Sequence, residues 1–158
     1  MTKELKILYP YARTSAIDEI FKLIKEERTW NPSSINVSTL KTLGVASSKE
    51  SVTIQALKFL GVLDENEATT EIFRNLRESF QLTLERQVRQ SYKLIFDQIP
   101  LSRVNQDTLV KFFMQDGYIE DTAEYQGALF VYLCKTAGID LPNASLSFKR
   151  ARFKKLHK

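Results

Sequence analysis

The chain has 158 residues, 43% of them hydrophobic, with 23 basic and 19 acidic side chains and one cysteine. This length bounds one compact domain or two small subdomains sharing a core, and a lone Cys134 excludes an internal disulfide framework and suits a reducing compartment. Lys3, Glu4 and Lys6 interrupt the early apolar residues and the longest apolar run, Ala128 to Cys134, is too short to cross a bilayer, so a soluble, cytoplasmic protein without membrane contact is expected.

In chain order, Ser15 reads as the N-cap of a first helix, in which Ile17, Ile20, Phe21 and Ile24 recur at helical spacing. That helix should end before Trp30-Asn31-Pro32. Ser38 to Leu43 predicts a short second helix stopped by Gly44. Ser47 and Glu50 are spaced as a capping box for a third helix reaching about Leu60, with Gly61 behind it. Val62-Leu63 then reads as a short strand, Asp64-Glu65-Asn66-Glu67 as an acidic turn, and Thr69 or Thr70 as the cap of a helix through Phe73 and Leu76. Three helices, a strand and a turn give a winged-helix-like half over residues 1–78.

Leu84, Val88, Ile95 and Ile99 predict one long helix from about residue 80 to Pro100. Val104 and Leu109 are placed as a hydrophobic staple around an Asn105 cap, leading into a helix with Phe112 and Phe113 that Gly117 ends. Asp121 and Glu124 are spaced as a further capping box, opening a helix through Ala137. Its centre, Leu129 to Cys134, is apolar all round, which belongs in the middle of a core. Residues 79–140 therefore read as a helical half, and 141–158 as a basic C-terminal tail. The fold class is mostly α, with a winged-helix-like half packed on a C-terminal helical bundle.

Tyr9-Pro10-Tyr11, Leu43-Gly44-Val45, the string Leu57 to Glu65 (LKFLGVLDE), Phe112-Phe113 and Ala137-Gly138-Ile139 together carry a resemblance. Over about residues 8 to 140 the chain resembles an uncharacterised prokaryotic family, a domain of unknown function, and the winged-helix-like LKFLGVLDE segment is its most specific part. The chain departs from the family pattern at Glu67 and Ala68, where relatives place Gly and Pro, which implies a looser or shorter turn. The resemblance implies a fold and no catalytic residues.

The third helix exposes Ser51, Gln55 and Lys58 within about 60° of one another at 100° per residue. Gln can read adenine and Lys can meet guanine or phosphate, so the stripe suits a major groove; an ordinary solvated face has the same make-up. Val52, Ala56, Phe59 and Leu60 are expected to face the core. Asp64, Glu65 and Glu67 set three negative charges where a wing would approach phosphates, against the main source of non-specific affinity. Arg86, Arg89 and Lys93 form a ridge at i, i+3 and i+7, which Arg74 and Arg77 extend; it is either a backbone-contacting surface or a solvated face with local ion pairs.

Residues 149–158 carry Lys149, Arg150, Arg152, Lys154, Lys155 and Lys158 with no acid. The other 17 basic residues face 19 acidic ones, so the net +4 comes from the tail and the body is near −2. Phe148 and Phe153 interleave the charges and could stack on unpaired bases; the same stretch reads equally as a disordered solubilising end or one that folds back on the acidic body. Engaging four to six phosphates would give a log–log salt slope of about −4 to −5 on duplex DNA.

Catalysis finds little support: His157, the only histidine, lies beside the terminus, Cys134 sits in the most apolar helix, and the glycines form no phosphate loop. Neither a metal nor a cofactor is expected. The leading expectation is a non-enzymatic nucleic-acid-binding protein, DNA above all, using Ser51, Gln55, Lys58, Arg86, Arg89, Lys93 and the tail residues Lys149, Arg150, Arg152, Lys154 and Lys155. The alternative is an adaptor subunit that joins a larger prokaryotic assembly through a protein partner.

Overall fold

The computed structural model describes residues 7–145. Among them are eight α-helices: α1 Thr14–Glu26, α2 Val37–Leu43, α3 Glu50–Phe59, α4 Glu71–Glu78, α5 Phe80–Ser91, α6 Lys93–Gln98, α7 Gln106–Gln115 and α8 Glu120–Thr136, with a 3₁₀ turn at Leu101–Arg103. The mostly helical class expected from the periodicities holds. Residues 146–158 of the expected 141–158 tail, with Lys149, Arg150, Arg152, Lys154 and Lys155, lie outside the described residues, while Leu141 and Ala144 at its start are buried in the core.

α8 is the axis of the core. Leu129, Phe130, Val131, Leu133 and Cys134 are all fully buried, as their unbroken apolar run requires. α7 lies along α8, and α1 and α5 pack on it from other sides. α1 buries Ala16, Ile17, Ile20, Phe21 and Ile24, and each large side chain contributes about 1.5–3 kcal/mol of apolar transfer. A strap at residues 7–13 closes the core. Tyr9 stacks on Tyr92 at 5.8 Å and meets Phe113 edge-on at 5.2 Å. The Gln126 side chain donates to the Tyr9 carbonyl at 3.0 Å.

The long helix expected from residue 80 to Pro100 is two helices, broken at Tyr92, whose φ and ψ are −105° and 28°. The cause is tertiary. The Tyr92 ring is fully buried between Tyr9, Phe59 (4.9 Å) and Phe130 (4.9 Å), and the adjacent Ser91 hydroxyl donates to the Phe59 carbonyl at 3.1 Å. Aromatic burial there outweighs one turn of regular helix.

Three expected caps are not formed. α1 starts two residues early, with Arg13 at the N-cap and Ser15 inside the first turn. The Ser47–Glu50 box is replaced by a Ser48 N–H donating to the Glu50 carboxylate at 3.3 Å, with Lys49 as the N-cap. α8 starts at Glu120 behind Ile119, with no side-chain cap, and Glu124 is buried. By contrast, Asn105 and Thr108 form a reciprocal capping box at α7 and Asn36 with Thr39 does the same at α2. Thr70, one of the two candidates, caps α4, while the Thr69 hydroxyl donates to Pro32.

Val62-Leu63 is not a strand. Leu63 forms a single antiparallel bridge with Thr69, and Ser34 forms another with Ala68. The turn between them is closed tightly rather than loosened: the Asp64 carboxylate accepts the Asn66 and Ala68 N–H groups at 2.8 and 2.9 Å, and Ile35 N–H reaches the Glu67 carbonyl at 3.0 Å. Glu67 holds φ at 66°, a left-handed backbone that glycine adopts without cost. The turn thus closes tightly at the expense of local backbone strain at Glu67.

Candidate nucleic-acid interface

Ser51 and Gln55 stand exposed on one face of α3, as expected. The buried face is wider than expected: Thr53, Ile54 and Leu57 are buried with Ala56 and Leu60, while Val52 and Phe59 are half-buried. The helix is clamped on more than one side, which a single-face reading misses.

Lys58 does not stand free beside Ser51 and Gln55. Its ammonium is 3.6 Å from the Glu67 carboxylate, so the acidic turn neutralises the last cation of the stripe. The ridge on α5 and α6 is likewise mostly spent. Arg89 pairs with Glu85 at 3.0 Å and lies 5.4 Å from the Phe96 ring centre, and Lys93 pairs with Asp97 at 2.8 Å. Arg86 is exposed and has no ion-pair partner among the described residues. Arg77 is no part of a ridge. Its guanidinium donates to the carbonyls of Ile24 (2.9 Å), Glu27 (3.1 Å) and Trp30 (2.7 Å), sealing the C-terminal end of α1.

Other cations converge where the sequence reading placed none. Arg13, ahead of α1, lines three neighbouring clefts of about 250, 440 and 280 Å³. The largest lies between α2, the first turn of α3, the strap and the first turn of α8. Its lining includes Tyr11, Arg13, Lys41, Lys49, Ser51 and Tyr125. Arg13 sits over the Tyr125 ring at 5.2 Å from its centre. Lys41 and Lys49 are exposed and have no ion-pair partner among the described residues. Glu50 and Asp121 also line the cleft.

The loop between α2 and α3 fixes this arrangement. Gly44, Ala46 and Ser48 all have left-handed backbone, and the two that are not glycine each cost about 1 kcal/mol. The strain is held by Val45 N–H to the Leu40 carbonyl (3.0 Å) and Lys49 N–H to the Ala46 carbonyl (2.7 Å). The result presents Ser47, Ser48 and Lys49 outward at the head of α3. Arg13, Lys41 and Lys49 are scattered along the chain, so no local motif announced them.

The remaining reactive group is sequestered. Cys134 is buried, and that burial pushes its thiol well above the usual range, so it is an inert core residue. Among the described residues no group of three or more His, Cys, Asp or Glu side chains could hold a metal ion, and no helix is long and apolar enough to cross a membrane.

A family model described as a family of unknown function (DUF5343) matches residues 10–141. No curated protein and no solved structure matches the chain.

Proposed function

We propose that this chain, which belongs to the DUF5343 family of unknown function, binds nucleic acid without acting on it chemically. The observation that carries the reading is the pairing of an exposed Ser51–Gln55 stripe on α3 with two unneutralised cations, Lys41 and Lys49, at the head of that helix. Phosphate attraction supplies affinity, and polar side chains on a helix supply contact with bases. The element order supports it too. A bridged Ser34 lies between α1 and α2, and a bridged Leu63–Thr69 turn follows α3, an order compatible with a winged helix although only isolated bridges stand where its strands would be.

In this reading the wing stays off the phosphates, since Asp64, Glu65 and Glu67 would repel them, and Lys58 serves the turn. The cations of the α2–α3 loop take over that work, with the sequence 148–158 adding non-specific attraction. A salt titration of binding to random duplex DNA, single-stranded DNA and RNA tests this. Micromolar or tighter binding at low salt that collapses as salt rises is expected; no detectable binding to any of the three contradicts it.

The adaptor reading is favoured by a different observation. Leu8 and Ile119 are large apolar side chains left 72% and 69% exposed, where a partner surface could cover them. It requires a specific protein complex that survives high salt.

A further inference from the structure

We propose that the cleft between the first turns of α3 and α8 holds one nucleotide of a single strand, so that the chain prefers single-stranded to duplex nucleic acid; this rests on the nucleic-acid reading above. The cleft measures about 440 Å³, within the range of small-molecule sites. That volume suits a nucleotide and not a double helix.

The wall opposite α3 decides against a duplex. Asp121, Thr122 and Tyr125 line the same cleft as Ser48, Lys49 and Ser51. A duplex approaching the head of α3 would bring its phosphates against the Asp121 carboxylate. A single strand carries its bases free of a partner and can thread the gap.

The lining matches the parts of a nucleotide. Lys41, Lys49 and Arg13 supply positive charge for the phosphate. Tyr11 is 43% exposed and Tyr125 carries the Arg13 guanidinium at 5.2 Å, so the cleft offers two aromatic rings and a planar cation on which any base can stack. The Glu50 carboxylate in the lining is an acceptor for base N–H groups, as acidic side chains are for the cytosine amine. Glu50 already shows this use, accepting the Ser48 N–H at 3.3 Å. Cation, ring and acceptor together form a combination that the α5–α6 ridge does not offer.

The test uses the full chain, a labelled ten-residue thymidine strand and a random duplex of equal length at matched salt. The wild-type chain should bind the strand at least fivefold more tightly than the duplex. Tyr11→Ala, at an exposed side chain, should weaken strand binding three- to tenfold and leave duplex binding unchanged, and Arg13→Gln, which also removes a cation, should weaken strand binding more than duplex binding, so that each moves the ratio toward one. Thymidine 5′-monophosphate at millimolar concentration should displace the strand. Equal wild-type affinities, a ratio unmoved by both variants, or no displacement overturns the cleft proposal while nucleic-acid binding stands. Failure to bind any nucleic acid overturns both readings together.

Discussion

The Lys58 ammonium lies 3.6 Å from the Glu67 carboxylate, tying the end of α3 to a turn that is itself held in left-handed backbone at Glu67. The contact links local strain to surface charge, and the two can be separated by mutation. Glu67→Gln should keep the backbone, release Lys58 and raise nucleic-acid affinity two- to fivefold with stability changed by less than about 0.5 kcal/mol, because half-exposed pairs contribute little. Glu67→Gly should in addition relieve the left-handed strain and stabilise the chain by about 0.5–1 kcal/mol. Anisotropy titrations with denaturant melts check both, and weaker binding by either variant contradicts the account.

Arg77 distinguishes a structural cation from a phosphate contact. Its three bonds to the carbonyls of Ile24, Glu27 and Trp30 join α4 to the end of α1. Arg77→Ala should cost about 2 kcal/mol, since bonds from a charged donor contribute about 1.5–3 kcal/mol and water recovers part of the loss. Nucleic-acid affinity of the folded variant should not change. Arg86→Ala should do the reverse of this pattern if the exposed ridge matters: no change in stability and a small loss of affinity.

The Tyr132 hydroxyl donates to Asp18 at 2.7 Å, joining α8 to α1. That bond is the main reason the Asp18 carboxyl lies below its ordinary value, with Lys22 helping at 3.3 Å. A depressed folded value means the contribution is full above the unfolded Asp range, about 3.9, and is lost as pH falls through the folded value. Tyr132 is raised, by burial first and then by the same bond, so its contribution fades as pH climbs above about 10. Tyr132→Phe should cost about 1 kcal/mol at pH 7 and less at pH 3. An equal cost at both pH values would contradict the assignment.

Tyr92 packs its ring in the centre of the aromatic cluster, but its buried hydroxyl has no hydrogen-bond partner among the described residues. Tyr92→Phe should therefore be neutral or stabilise by up to about 1 kcal/mol, while Tyr92→Ala should cost about 3–5 kcal/mol. Thermal melts of the two variants report whether the ring or the hydroxyl stabilises the fold, and a Tyr92→Phe variant less stable than the wild type by more than about 1 kcal/mol would contradict this.

Local sequence reached some of this and not the rest. The apolar spacing of Ile17, Ile20, Phe21 and Ile24 made α1 legible, and Asn105 marked the start of α7, because both signals act within one turn of helix. The same spacing ran straight through Tyr92: Val88 and Ile95 keep helical period, and only rings from Tyr9, Phe59 and Phe130 impose the break. Ser15, Ser47 and Asp121 have the chemistry of caps but lost the position to neighbours whose backbone was set by packing. On the surface, Ser51 and Gln55 were legible as exposed, whereas the fate of Lys58 depended on a partner nine residues away across a strained turn. Arg77 was read with the ridge because its carbonyl partners lie about fifty residues upstream. The cleft of Arg13, Lys41 and Lys49 exists only after α1, α2 and α3 have been brought together against α8.

In the proposed function the folded body contacts phosphates through the head of α3. The most direct measurement is the salt dependence of strand binding by the full chain and by a Lys41→Gln/Lys49→Gln variant. Each phosphate contact adds about 0.7 to the log–log slope on a single strand. The expected result is a variant slope shallower by about 1.4, with the melting temperature unchanged. Superimposable salt curves for the two proteins would contradict the account.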